Sequence, residues 1–226
     1  MIHTATIKIK VVLGEPSPPP PPPPPPFVGT KIKIAVNDEQ RVFRIGNLDA
    51  GSMGTKFAID WGDGVTEYYT GSILLVYHEY AKAGTYEIRI SDDVETMNLG
   101  NSDEAFNALY PPMVLSFVHN GEKLLTLTGS AFANCKNLTA FDVREGKINK
   151  LSTNTFIGCE KLGGVLFFPC VTSTPGRSQT KVFSNCTGGI TEIHFAESAE
   201  EVITATASYK ADPTLGTGTA VCVFDL

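Results

Sequence analysis

The chain has 226 residues, 42% hydrophobic and 19% charged, with a formal net charge of −6. That composition suits a soluble globular protein with room for one large or two small domains, and the acidic balance argues against sequence-independent nucleic-acid binding, which needs a cationic surface to displace counterions from phosphates. No apolar run approaches the roughly 20 residues that cross a bilayer, so no membrane span is expected.

The first 14 residues, "MIHTATIKIKVVLG", alternate apolar and polar positions and predict a strand over 7–12, with Ile7, Ile9 and Val11 on one face. The stretch lacks the basic start, continuous apolar block and small-residue cleavage site of a secretory signal. Nine consecutive prolines follow, Pro18 to Pro26. They cannot donate backbone hydrogen bonds and form a stiff polyproline II rod of roughly 28 Å. No specificity residues decorate the run, so residues 15–27 read as a linker and not as a ligand for a proline-reading domain. A short strand cannot fold alone. Residues 1–14 are therefore expected to anchor or assemble, pairing with another chain, with the domain beyond the rod, or with a larger particle.

Over residues 28–95 the stretches "KIKIAV", "RVFRI", "KFAIDW", "SILLVY" and "TYEIRI" are short, β-rich and separated by turn residues. Without any helical period between them they predict a small β-sandwich. Within it lies "DWGDG", Asp60, Trp61, Gly62, Asp63 and Gly64. The two glycines allow backbone angles other residues avoid, Asp63 can close an Asx-type turn, and Trp61 belongs in or beside the core. Asp60 and Asp63 are also hard oxygen ligands suited to calcium, but the ligand spacing and distal Glu of an EF-hand loop are missing, so a structural turn is the reading taken. Downstream come His78 and Tyr80, a short basic turn ending at Gly84, and then Tyr86. Together "FAIDWGDGVTEYYTG" and "YHEYAKAGTYEIRIS" resemble the polycystic-kidney-disease (PKD) domain, with its D-[FW]-G-D-G turn, H-x-Y and T-Y-x-[IV] strand. The resemblance implies an immunoglobulin-like sandwich in an extracellular protein, acting as a spacer or as a protein- or glycan-binding module.

The second half repeats. "LLTLTGSAFANCKNLTAFDV" aligns with "INKLSTNTFIGCEKLGGVLF", and a looser third copy ends "KVFSNCTGGITEIHF". The shared core is F-x-x-C: Phe132 with Cys135, Phe156 with Cys159 and Phe183 with Cys186, the phenylalanines 24 and then 27 residues apart. A period in the twenties marks a solenoid of the leucine-rich class, in which single copies cannot bury their apolar faces and stacking makes a shared core. Phe fills the interior and Cys is content when buried. Asn134 and Asn185 can satisfy backbone groups at the bend, with Gly158 in the same place in the middle copy. Five cysteines without a C-x-x-C are read as buried thiols, against a metal ladder or disulfide stack. Residues 124–195 resemble the BspA-type leucine-rich repeat (LRR_5), with Gly188 departing from the expected Leu. This resemblance implies a place on microbial or viral surfaces and roles in adhesion or host-surface recognition. Residues 96–226 as a whole are assigned to this domain with its caps. The expected caps are a helix over 101–112 begun by Ser102, a helix over 197–213 with Ser198 and Glu201 as capping box, and a last strand with Val221, Val223 and Leu226 on one face.

No catalytic signature is present. Of His3, His78, His119 and His194, His78 lies in the PKD-like motif and His194 in a repeat strand, neither with a sequence-local partner, and no catalytic, cofactor or metal residue is expected. The fold expected is mainly β: an N-terminal strand and polyproline linker, an immunoglobulin-like sandwich, and a short solenoid with a helical cap. The function expected is non-enzymatic surface display and recognition, as a phage virion fibre or capsid decoration protein attached by its N-terminus. The alternatives are a secreted or cell-surface bacterial adhesin and an accessory module of a carbohydrate-active protein. Its location would be the virion surface, the cell surface or the extracellular space. Its partners would be a virion or cell-surface protein through residues 1–14, a host protein or glycan, and a second copy of itself in a homo-oligomer. Tyr68, Tyr69 and Tyr77 are the binding candidates, because aromatic side chains give large contact area at low entropy cost.

Overall fold

The computed structural model describes residues 27–100, 110–149, 151–171, 182–200 and 220–226. The N-terminal strand, the proline rod and most of both expected helices lie outside these residues. Of the first helix only the end is described, a 3-10 turn at Pro111–Met113, and of the second only its start, a 3-10 turn at Glu197–Ala199.

The described chain is mainly β with a β-solenoid-like arrangement. Its strands run β1 (Gly29–Val36), β2 (Val42–Asp49), β3 (Lys56–Asp60), β4 (Thr66–Thr70), β5 (Ser72–Glu79), β6 (Gly84–Ser91), β7 (Thr96–Asn98), β8 (Val114–His119), β9 (Leu124–Leu127), β10 (Ala140–Asp142), β11 (Lys147–Ile148), β12 (Gly164–Phe168), β13 (Ile190–Phe195) and β14 (Val221–Phe224). Strand periodicity decides which residues enter the core. In β1, Ile32, Ile34 and Val36 are buried while Lys33 is exposed; in β6, Ile88 and Ile90 are buried while Glu87 and Arg89 are exposed. Each such aliphatic side chain contributes about 1.5–3 kcal/mol on full burial.

Three sheets result. The first has six strands in the order β10-β8-β1-β6-β3-β4, the second five in the order β11-β9-β7-β2-β5, and the third three in the order β12-β13-β14. The first two change character across their width. On one side they are antiparallel, β1 with β6 and β2 with β5. On the other they become parallel, β8 with β10, β7 with β9, and β9 with β11. Hairpins make the first pattern; stacked coils of repeating length make the second. Strand β8 pairs antiparallel with β1, so the repeats extend the sheets of the first half, and one continuous apolar cluster runs from Ile32 to Phe195. At that junction buried His119 Nδ1 meets Thr30 Oγ1 at 3.0 Å. Burial holds the His119 imidazole below its usual value, which favours the neutral ring.

The repeats stack on two ladders of phenylalanines. Phe132, Phe156 and Phe183 lie with ring centroids 5.3 and then 5.1 Å apart and nearly parallel. Phe117 stacks on Phe141, Phe168 on Phe195, and Phe195 on Phe224, with Phe141 and Phe168 tilted between them. The bends are joined by backbone bonds from one coil to the next, Phe132 N–H to Thr155 O and Phe156 N–H to Val182 O, both 2.8 Å. Asn134, Gly158 and Asn185 have φ of +62°, +72° and +62°. That left-handed conformation explains the residue types there, because Gly and Asn adopt it at least cost. In the last strand Cys222 and Phe224 pack on the core, whereas Val221 is 60% exposed. Phe224 faces inward because it continues the ladder that ends on Phe195.

Candidate recognition surface

The "DWGDG" turn closes the β3–β4 hairpin. Asp60 Oδ1 accepts the Gly62 N–H at 2.9 Å, and Asp63 Oδ1 accepts the Val65 N–H at 3.1 Å. The Trp61 N–H bonds back to the Val65 carbonyl at 2.9 Å. Trp61 is fully buried, and its indole N–H donates to Glu67 Oε2 at 2.9 Å. The turn also fastens the two sheets together. Asp63 Oδ2 meets His78 Nε2 at 2.8 Å, and the His78 ring stacks on Trp61 with centroids 4.9 Å apart. Tyr80 sits edge-on to His78, stacks on Tyr86 and donates its hydroxyl to the Trp61 carbonyl. Burial pushes the Asp63 carboxyl up, but hydrogen bonds from His78 and the Val65 N–H outweigh it and hold it below the usual range. The carboxylates of this turn are thus occupied by the protein's own donors. Gly84 lies against the Tyr86 ring at the end of the same cluster.

The three candidate tyrosines do not share one site. Tyr69 turns inward, stacking on Phe57 at 5.5 Å and donating its hydroxyl to Glu67. Burial and the Glu67 carboxylate push its phenol pKa up. Tyr68 is 78% exposed on β4, the outer strand of the six-stranded sheet. Tyr77 is 67% exposed on β5, the outer strand of the five-stranded sheet. Strand alternation places these two on the outward faces of different sheets. The two strands are consecutive, with Gly71 alone between them in the chain. Strand β5 also exposes Leu74 by 80% and Leu75 by 44%. These leucines were not singled out in the sequence, where "SILLVY" reads as a strand of unknown position; only the sheet order makes β5 an edge.

Phe27, the first described residue, is firmly held. Asn120 accepts the Gly29 N–H and donates to the Phe27 carbonyl, and the Phe27 ring lies beneath the Lys31 and Arg89 side chains. At Gly29 φ is +134°, and a Cβ would sit 2.4 Å from the Ile90 carbonyl.

The repeat cysteines are buried thiols. Cys135, Cys159 and Cys186 are buried, and the Cys159 and Cys186 thiols donate to the carbonyls of Phe132 and Phe156, one coil away, each at 3.1 Å. Burial pushes the Cys135 and Cys159 thiols up, away from the thiolate that reactivity or metal binding needs. Among the described residues no group of three or more His, Cys, Asp or Glu side chains converges as a metal cage.

His194 makes the one carboxylate–imidazole–carboxylate arrangement described. Its Nδ1 meets Asp225 Oδ1 at 2.7 Å and its Nε2 meets Glu192 Oε2 at 2.8 Å, with Phe167 stacked on the ring. The hydrogen bond to Asp225, with the one to Glu192, raises its pKa above the usual value. A raised folded-state pKa adds stability that is fully present below the unfolded value of about 6.5 and is lost as pH rises through the folded value. Wild-type protein should therefore melt above His194→Gln at pH 5.5, with the gap closing by pH 8.5. Thermal melts of both across that range check it; a gap that widens with pH contradicts the pairing.

Comparison with known proteins returns no match: no family model, no curated protein and no solved structure aligns with this chain.

Proposed function

We propose that this protein is a non-enzymatic recognition module displayed on a surface, a phage virion fibre or capsid decoration protein held by its N-terminal residues. One observation carries the reading: large apolar side chains stand exposed on two outer strands that follow one another in the chain, Tyr68 on β4 and Leu74 and Tyr77 on β5. Monomer surfaces gather such side chains where something else covers them. The frame beneath is rigid, since the turn between β3 and β4 is tied to β5 through Asp63 and His78, and rigid aromatic anchors are what recognition surfaces use. An immunoglobulin-like sandwich joined to leucine-rich coils fits the same reading, as does the hold of Asn120 on Phe27, the residue that follows the prolines. Residues 1–14 then attach, the prolines stand the body off, and the body meets a host protein or glycan. The test is adhesion. Fluorescently labelled Tyr68→Ala protein should bind host cells at least tenfold more weakly than wild type, with its solution mass and melting temperature unchanged. Equal binding by both would remove Tyr68 from the contact, and failure of wild type to bind any host envelope would overturn the reading.

A further inference from the structure

We propose that the free edge of β5 receives residues 7–12 of a second copy of this chain, adding a strand to the five-stranded sheet in trans. Strand β5 pairs only with β2 among the described residues, and at eight residues it is the longest outer strand of any of the three sheets. Among the described residues no strand pairs with its opposite side. The Tyr80 N–H bonds the Arg41 carbonyl, and the β2–β5 register continues as Phe43 opposite His78 and Ile45 opposite Val76. Antiparallel alternation then turns the backbone N–H and C=O of Leu75, Tyr77 and Glu79 away from β2, to the open edge.

Natural edges are blunted by Lys, Pro or bulges. The stretch "SILLVYHE" has neither residue. A long apolar edge of this kind is a template for another strand. The sequence supplies one of matching chemistry. Residues 1–14 carry Lys8 and Lys10 and no acidic residue. Strand β5 carries Glu79, one of the residues turned to the outer side, and no Lys or Arg. The donor alternates Ile7, Ile9 and Val11 with the two lysines, so one face extends the core margin while the other sets cations beside Glu79. Opposite charges across strands stabilise the pairing.

A second copy is proposed, and not the same chain, on the reach of the linker. Phe27 precedes β1, which lies three strand positions from β4, about 14 Å. Nine prolines as an extended rod would span roughly 28 Å, twice that distance. Each copy would then give a strand and accept one, a head-to-tail contact that builds rings or filaments. In a filament the outermost β5 stays open, and the base copy keeps residues 1–14 for its support. This inference does not rest on the display reading, and its test reads mass alone.

Light scattering on the full chain should show assemblies larger than one chain. Ile9→Pro removes the donor. Tyr77→Pro removes an acceptor N–H that β2 does not use, a site where an edge strand tolerates proline. Each variant alone should be monomeric, and an equal mixture should give a heterodimer of twice the 24.3 kDa chain mass, since one partner keeps a donor and the other an acceptor. Tyr77→Lys, at an exposed position, repeats the acceptor block by placing a cation against Lys8 and Lys10, and covers the case in which the proline variant misfolds. Monomeric wild type, oligomers that survive both Tyr77 substitutions, or a mixture that stays monomeric would each overturn the proposal.

Discussion

Phe156→Ala is expected to lower the unfolding free energy by about 3–5 kcal/mol, the usual result of emptying a buried aromatic site. Phe156 is the middle ring of its ladder. It is fully buried, stacks on Phe132 and Phe183 and takes the edge of Phe141 at 4.8 Å. Each aromatic pair contributes about 0.5–1.5 kcal/mol beyond the area it covers, so the loss should exceed that at Phe183, which has a stacking neighbour on one side in its ladder. The neighbours cannot collapse into the space easily, because backbone bonds between coils fix the spacing at this bend. Urea denaturation with an unchanged m value reads the effect as stability. A sharper reading comes from the single tryptophan. Trp61 lies in the antiparallel half, yet one apolar cluster includes both it and Phe156. Trp61 fluorescence and far-UV circular dichroism should therefore shift to the same lower midpoint. If fluorescence keeps its wild-type midpoint, the two halves unfold separately and the continuous core does not couple them.

The elements legible in the sequence were those with local causes. The alternation of Ile32 and Ile34 with Lys31 and Lys33 marks β1, and similar patterns mark β2, β3, β5 and β6. The recurring Phe and Cys positions marked the repeats, and the Asn or Gly before each Cys reflects a positive φ set within a few residues. Strand β4 was not marked: "TEYYT" has polar or aromatic residues throughout, and its inward positions are Glu67 and Tyr69, which satisfy each other and Trp61 in place of aliphatic burial. Pairing partners were not legible either. That β8 lies against β1 is a contact across more than 80 residues, and local patterning carries no record of it. The same limit hid the candidate surface. Leu74 and Leu75 look like core residues in a sequence, and only the position of β5 at the margin of its sheet leaves them exposed. Asn120 gave no signal at all, since an asparagine after a strand is ordinary until Phe27 and Gly29 come to it from 93 and 91 residues away.

Gly62→Ala and Gly64→Ala should separate by about 1–3 kcal/mol although both alter the same turn. Each glycine has positive φ, +81° and +95°, and an alanine forced into that region costs about 1–3 kcal/mol. At Gly64 the strain is the whole cost, because a Cβ there would meet nothing within 4 Å. At Gly62 a Cβ would sit 2.5 Å from the Glu87 carbonyl oxygen, with two more backbone atoms of Glu87 at 3.0 Å. Strand β6 lies inside its sheet, between β1 and β3, and cannot retreat, so the turn must lift instead. Overpacking of this kind adds a further 1–3 kcal/mol. Lifting the turn also pulls Asp63 from His78 and Trp61 from the stack beneath it. Gly62→Ala should therefore shift Trp61 emission to the red in the native state, whereas Gly64→Ala should leave it in place. The consequence reaches β5, because His78 is the residue by which that strand is tied to the turn. A chain that keeps its fold but loosens at Gly62 should lose strand acceptance at Tyr77 while Gly64→Ala retains it. Equal melting temperatures for the two variants would mean that the turn does not pack on β6, and the fastening of one sheet edge to the other would have to come from elsewhere.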